Sequence, residues 1–212
     1  MLYELKDIQR DVRIALNLNE ISDALLNNDD VDTLMVDELI RSKVEDAAQK
    51  VELEAPVHML DSGSNFADEI YWDDDDHNSG WTILPDDFWK LIMFQMSDWK
   101  KAVYATITHD DPDYSKQKSD FEGIRGNCSN PVCAIVMRSE GKVLEFYSCK
   151  SKDATVIHAV YLKKPVLDEY DCIRIDERCY RAVIYYCAGL VAQAVGKEDA
   201  NNYFELSKGF IE

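Results

Sequence analysis

The chain has 212 residues, of which 46% are hydrophobic and 30% charged; this fits a folded globular protein and excludes an intrinsically disordered one. Its 41 acidic residues against 23 basic ones leave a net charge of -18, which argues against a surface built to grip phosphates. Apolar stretches such as Ala182–Val195 are too short or too interrupted to span a bilayer. The first twenty residues carry Asp7, Asp11 and Glu20 and lack a secretory pattern. These features predict a soluble chain made in a cytoplasm, contacting no membrane, with its six cysteines reduced.

Leu5, Ile8, Val12, Ala15 and Leu16 recur at spacings of three and four, which predicts a first amphipathic helix. After a polar break at Asn27–Asp30, Asp32 is suited to N-cap a second helix running to about Leu53. Its stripe is Val36, Ile40, Val44, Ala47 and Val51, and Pro56 ends it. Residues 57–80 read as a long Asp-rich loop with short extended pieces, holding the turn cluster Asp61–Asn65 and the acids Asp73–Asp76. Trp81–Leu84 reads as extended. Pro85, followed by Asp86 and Asp87, suits the first turn of a third helix, where proline needs no donor and acids meet the positive dipole end. This central helix, 85–107, would bury Phe88, Ile92, Met96, Trp99 and Val103, and the Trp99 indole nitrogen would find an acceptor.

Residues 108–131 read as a polar loop. Val132–Arg138 and Lys142–Cys149 are rich in β-branched and aromatic residues around a turn at Ser139-Glu140-Gly141, and Val156–Leu162 adds a third strand. Asp176 is placed to cap a last long helix with a stripe at Cys179, Val183, Tyr186, Leu190 and Ala194, stopped by Gly196. A short helix from Glu198 to about Ser207 follows. The predicted fold is α+β, mainly a helical bundle with a small antiparallel β-meander and a long Asp-rich loop, in one domain spanning 1–212. Its parts are helical 1–56, loop 57–80, central helix 85–107, loop and meander 108–175, and C-terminal helices 176–210.

No phosphate loop, nucleophile elbow, zincin or dinucleotide motif occurs. Asp73–Asp76 with His77 could hold a hard cation, but the glycine and distal glutamate of a calcium loop are missing, so a solvated loop is favoured. His109-Asp110-Asp111-Pro112 reads as a turn. Asp86 and Asp87 diverge by about a hundred degrees on a helix, which suits capping better than acid–base chemistry. Cys128 and Cys133 have no second close pair at zinc spacing. Trp72, Trp81, Trp89 and Trp99 lack the basic stripe that would make them a base-stacking platform. No catalytic, metal-binding or cofactor-binding residue is therefore assigned.

Several segments carry a resemblance. Leu84-Pro85-Asp86-Asp87-Phe88, continued to Ser97-Asp98-Trp99, resembles the central helix of phage head-to-tail adaptor proteins. Asp113-Tyr114-Ser115-Lys116-Gln117 and Gly123-Ile124-Arg125-Gly126-Asn127, leading into Pro131-Val132, are similar to ring proteins of crAss-like short-tailed phages. So are Leu144-Glu145-Phe146-Tyr147-Ser148 and Ala182-Val183-Ile184-Tyr185-Tyr186, in that order. The resemblance spans roughly residues 1–210. It implies a non-enzymatic structural subunit, made in the host cytoplasm and incorporated into the virion. Its partners would be copies of itself in a twelve-fold ring, the portal protein and other ring or tail proteins. Genomic DNA would pass through the ring channel without specific binding. Two other classes predict different behaviour. An acidic DNA mimic would be a monomer or dimer that inhibits a nucleic-acid-binding protein. A metal-dependent hydrolase using Asp73–Asp76, His77 and a distant histidine would bind divalent ions tightly and show turnover.

Overall fold

A computed structural model describes residues 1–16, 36–60, 63–74, 77–147 and 149–212. The Asn27–Asp30 break, the Asp32 cap, Asp61 and Ser62 of the turn cluster, and Asp75 and Asp76 lie outside the described residues. The chain forms two compact units, Met1–Asp61 with Pro165–Glu212, and Ser62–Lys164.

The first unit opens with strand β1 (Leu2–Glu4), helix α1 (Leu5–Ala15) and helix α2 (Val36–Glu54). The predicted stripes hold: Leu5, Ile8 and Val12 of α1 are buried, as are Ile40, Val44, Ala47 and Val51 of α2. A 3-10 turn at Val57–Met59 follows Pro56.

The second unit is the part of the chain where the structure departs most from the sequence reading. It contains β2 (Ser64–Asn65), β3 (Tyr71–Trp72), β4 (Gly80–Ile83), β5 (Phe88–Met96) and β6 (Ile107–Thr108). A single-turn helix α3 (Pro112–Lys116) precedes β7 (Cys133–Arg138), β8 (Gly141–Phe146) and β9 (Val156–Lys163). One sheet has the order β3-β4-β8-β7-β6, antiparallel except for the β6–β7 pair; the other is β2-β9-β5. The predicted hairpin is β7–β8, but β9 does not extend it into a meander. It lies between β2 and β5 in the other sheet. Inner residues of both sheets share one core, in which Phe94 and Phe146 stack at 5.7 Å.

The predicted central helix at 85–107 is instead strand β5 and the turns after it. The apolar spacing misleads because β5 carries register shifts at Phe88/Lys90, Leu91/Met93 and Gln95/Met96. A β-bulge adds a residue without changing which face looks inward. Inward side chains therefore recur at Phe88, Leu91, Phe94 and Met96, spacings of three, three and two that imitate a helical stripe. With about 35% helix and 26% strand, the fold is α+β with substantial sheet and not mainly a helical bundle. Asp86 and Asp87 consequently cap no helix. Asp87 accepts from the Tyr161 hydroxyl at 2.6 Å and pairs with Lys163 at 2.9 Å, tying β9 to the turn before β5.

The first unit is completed by β10 (Cys172–Arg174), a 3-10 turn (Glu177–Cys179) headed by Asp176, helix α4 (Tyr180–Ala194) and helix α5 (Ala200–Lys208). β10 pairs antiparallel with β1, and α4 packs against α1, α2 and α5. Its buried face includes Val183, Cys187, Ala188 and Val191. That face is rotated from the predicted stripe, which placed Tyr186, Leu190 and Ala194 inward. Gly189 explains part of the rotation: a Cβ there would lie 2.6 Å from the Phe204 ring, so its bare backbone makes room for α5. Gly196 ends α4 as predicted, at φ +72°, with Gly196 N–H donating to Gln193 O and Lys197 N–H to Ala192 O. This is the paired closure of a Schellman motif.

Trp99 lies in the core of the second unit at 4% exposure, edge-on to Phe94 at 5.8 Å. Among the described residues its indole nitrogen meets no acceptor in hydrogen-bonding geometry, contrary to expectation, and the Cys149 thiol is the polar group it acts on. Burial of the ring supplies the stabilisation. Trp99→Ala is expected to cost about 3–5 kcal/mol, the usual loss for a large core aromatic. Urea denaturation monitored by circular dichroism at β-sheet wavelengths checks this, and equal midpoints and slopes would show the ring to be dispensable to the core.

Candidate functional site

Strand β8 alternates between two environments. Leu144 and Phe146 point into the shared core, while Val143, Glu145 and, just beyond the strand, Tyr147 line the opposite face. That opposite face is not bare. Ala134, Val136 and Val143 form a small second core there, flanked by Trp81, Ile107, Tyr114 and Tyr147. Helix α3 delivers Tyr114. Asp111 accepts from the Asp113 N–H at 2.8 Å and Pro112 occupies the first turn, so the predicted His109–Pro112 turn is a helix start.

Glu145 is the centre of this face, its side chain only 8% exposed. One carboxylate oxygen accepts from Arg138 Nε at 2.8 Å and from the guanidinium's Nη2 at 2.6 Å. The other accepts from the Tyr147 hydroxyl at 2.6 Å and the Tyr114 hydroxyl at 3.1 Å. Arg138 then reaches both oxygens of Asp73 at 3.2 Å and lies 5.0 Å above the Trp81 ring, which stacks on Tyr71 at 4.4 Å. Burial opposes ionisation of Arg138, but Asp73 and Glu145 outweigh it and raise its pKa. Burial, then the Glu145 carboxylate, pushes the Tyr147 hydroxyl up, and the same two causes raise Tyr114. Both tyrosines are held as donors.

These groups line a cleft of about 540 Å3 together with Asp74 and His77. Asp73 is thus not simply a solvated member of an acidic run. Its side chain pairs with Arg138, its N–H donates to Ser79 O at 2.9 Å and its carbonyl accepts from Lys152 at 2.7 Å. Asp74 is exposed, and His77 lies 3.3 Å from Asp120. Among the described residues, no group of three or more His, Cys, Asp and Glu side chains is arranged to hold a metal ion. The histidines are not gathered: His58 is in the first unit, while His109 packs on Tyr114 and His158 stands opposite Gln95 in the second.

Cys128 and Cys149 line a neighbouring cleft of about 630 Å3, and Cys149 together with Cys133 also belongs to the shared core. Burial, then the Asp98 carboxylate, pushes both Cys128 and Cys149 thiols above the ordinary value, which disfavours the thiolate needed for metal or nucleophilic chemistry. Cys179 and Cys187 are buried as predicted.

Chemically, the cleft is a closed account of donors and acceptors. Glu145 can accept a proton from a substrate only by giving up a partner, and the Arg138 fork is occupied. No protein-family model and no curated protein matches the chain. The arrangement itself therefore carries the reading: it ties α3, Asp73 and strands β7 and β8 into one surface.

Sequence reasoning singled out neither Arg138 nor Glu145. The available signal was Val143-x-Glu145-x-Tyr147, an apolar face interrupted by one acid, next to a strand ending in arginine. Glu145→Ala is expected to cost about 2–4 kcal/mol, because it leaves the Tyr147 and Tyr114 hydroxyls without their acceptor and Arg138 with Asp73 alone. Tyr147→Phe should cost only about 1 kcal/mol, the net worth of one hydrogen bond. Urea denaturation at neutral pH compares the two; a Glu145→Ala loss no larger than that of Tyr147→Phe would refute the assigned hierarchy.

Proposed function

We propose that the chain is a structural ring subunit at the head-to-tail junction of a short-tailed phage. It docks to the portal protein, joins it to other ring or tail proteins and surrounds the channel through which DNA leaves. The observation that carries this reading is the fully engaged Glu145–Arg138–Tyr147–Tyr114–Asp73 network, which spends its polar groups on holding a surface in shape. Fixed surfaces are what repeated subunit contacts require, since a rigid partner loses less entropy on docking.

The net charge of -18 supports the same role. Acidic walls repel a passing duplex and limit its friction, whereas a basic lumen would bind phosphates tightly. The resemblance supports it in part. Its central-helix segment, Leu84–Trp99, drops out because that segment contains strand β5. What remains in order is α3, the loop Gly123–Asn127, β8 and α4. No helix among the described residues is long and apolar enough to cross a membrane, which is compatible with a place in the virion.

Mass photometry and negative-stain microscopy test the proposal on the purified chain, alone and mixed with the portal protein of the same phage. The expected result is a closed, rotationally symmetric ring, twelve-fold, that forms on the portal if not alone. A chain that stays monomeric with and without the portal, and is absent from purified particles, overturns it. Stoichiometric capture of a host DNA-binding protein by the monomer would favour the DNA-mimic class instead.

A further inference from the structure

Two acids in the first unit are buried more completely than any carboxylate of the cleft. Glu52, near the end of α2, is 2% exposed, and Asp176, at the head of the 3-10 turn leading into α4, is 1% exposed. The Asp176 N–H donates to Glu52 Oε1 at 2.9 Å. Two acidic residues are thus fastened together where α2 meets the segment between β10 and α4. Charged groups also face Glu52 from the neighbouring strands: Arg174, exposed on β10, and the Met1 amino group before β1, which donates to the Ile175 carbonyl at 2.7 Å.

Withdrawing a carboxylate from water disfavours its charge, and a second acid beside it does so again. Here burial is the largest influence and pushes Glu52 up to about 7; the negative charge of Asp176 acts in the same direction. The Asp176 N–H, Arg174 and the Met1 amino group pull the other way without cancelling it.

We propose that Glu52 and Asp176 form a proton-sensitive clasp, in which one carboxyl of the pair holds a proton while α2 is seated on the segment leading into α4, and loss of that proton loosens the first unit. The direction follows from linkage. In the unfolded chain Glu52 titrates near its ordinary value of 4.5, whereas in the fold it holds its proton to about 7. Between those values the folded state binds more protons, so stability is greatest below the unfolded value and falls as pH rises through about 7. This is opposite in sign to the usual salt-bridged acid.

Glu52→Gln keeps the oxygen that accepts from Asp176 and cannot ionise. Thermal melts of the intact chain from pH 5 to pH 8.5 should show the wild-type midpoint falling relative to that of Glu52→Gln, with the gap widening up to about pH 7 and levelling off above it. Histidine titrations are common to both proteins and cancel in the difference. A carbon-13 NMR titration of the Glu52 carboxyl should give a midpoint near 7 in the wild type, moved downward in Asp176→Asn. Parallel melting curves for wild type and Glu52→Gln, or a Glu52 midpoint in the ordinary carboxylate range with the fold intact, would overturn the proposal. Should Glu52→Gln fail to fold, the wild-type NMR midpoint decides alone.

Discussion

A carboxylate placed on the covered face of a sheet needs donors on nearly every lone pair, and Glu145 imposes that requirement on the second unit. The cost of desolvating the charge is several kcal/mol, so the chain is arranged to return it. Arg138 comes from the end of β7, Tyr147 from beyond β8, and Tyr114 from α3. Satisfying Arg138 in turn draws in Asp73, which fixes one end of the acidic loop. Loop, helix and sheet are thereby determined by one buried charge. A hydrophobic residue at the same place would pack without specifying any of these partners.

How much of this was legible follows from periodicity. Helices α1 and α2 were readable because each has one clean apolar stripe and polar flanks, and the end of α4 because only a glycine sits easily at φ +72°. β7 and β8 were readable from β-branched runs around a short turn. β5 was not, because its register shifts stretch the inward spacing toward that of a helix, and Pro85-Asp86-Asp87 imitates a helix start. Local pattern also cannot say which strands pair. β9 looks like the next strand of a meander, yet its partners are β5 and β2, far earlier in the chain. The site was missed for a related reason. Alternation assigns Glu145 to the side away from Leu144 and Phe146, and that side looks solvated until α3 is seen to cover it.

Asp86 and Asp87 show how the same residues serve a different element. Their value at a helix start would have been electrostatic, through the dipole. In the sheet, Asp87 instead meets the Tyr161 hydroxyl and Lys163, and although burial opposes its ionisation these partners hold it below the usual carboxylate range. Tyr161 is correspondingly pushed up to about 12, by burial first and then by that carboxylate. The acid pins the turn before β5 against β9, the strand that it pairs with.

The chain thus handles its buried acids in two ways, and the difference has a direction. Glu145 is matched by a permanent cation and two hydroxyl donors. Glu52 is set beside a second acid, and the nearest positive groups do not offset its burial, so the fold favours its neutral form. The first unit accordingly loses stability as pH rises from the ordinary carboxylate range to about 7. An acidic chain gains from this arrangement: with net charge -18, self-repulsion grows as the last carboxyls ionise, and a proton kept inside at neutral pH removes one negative charge where repulsion is least screened.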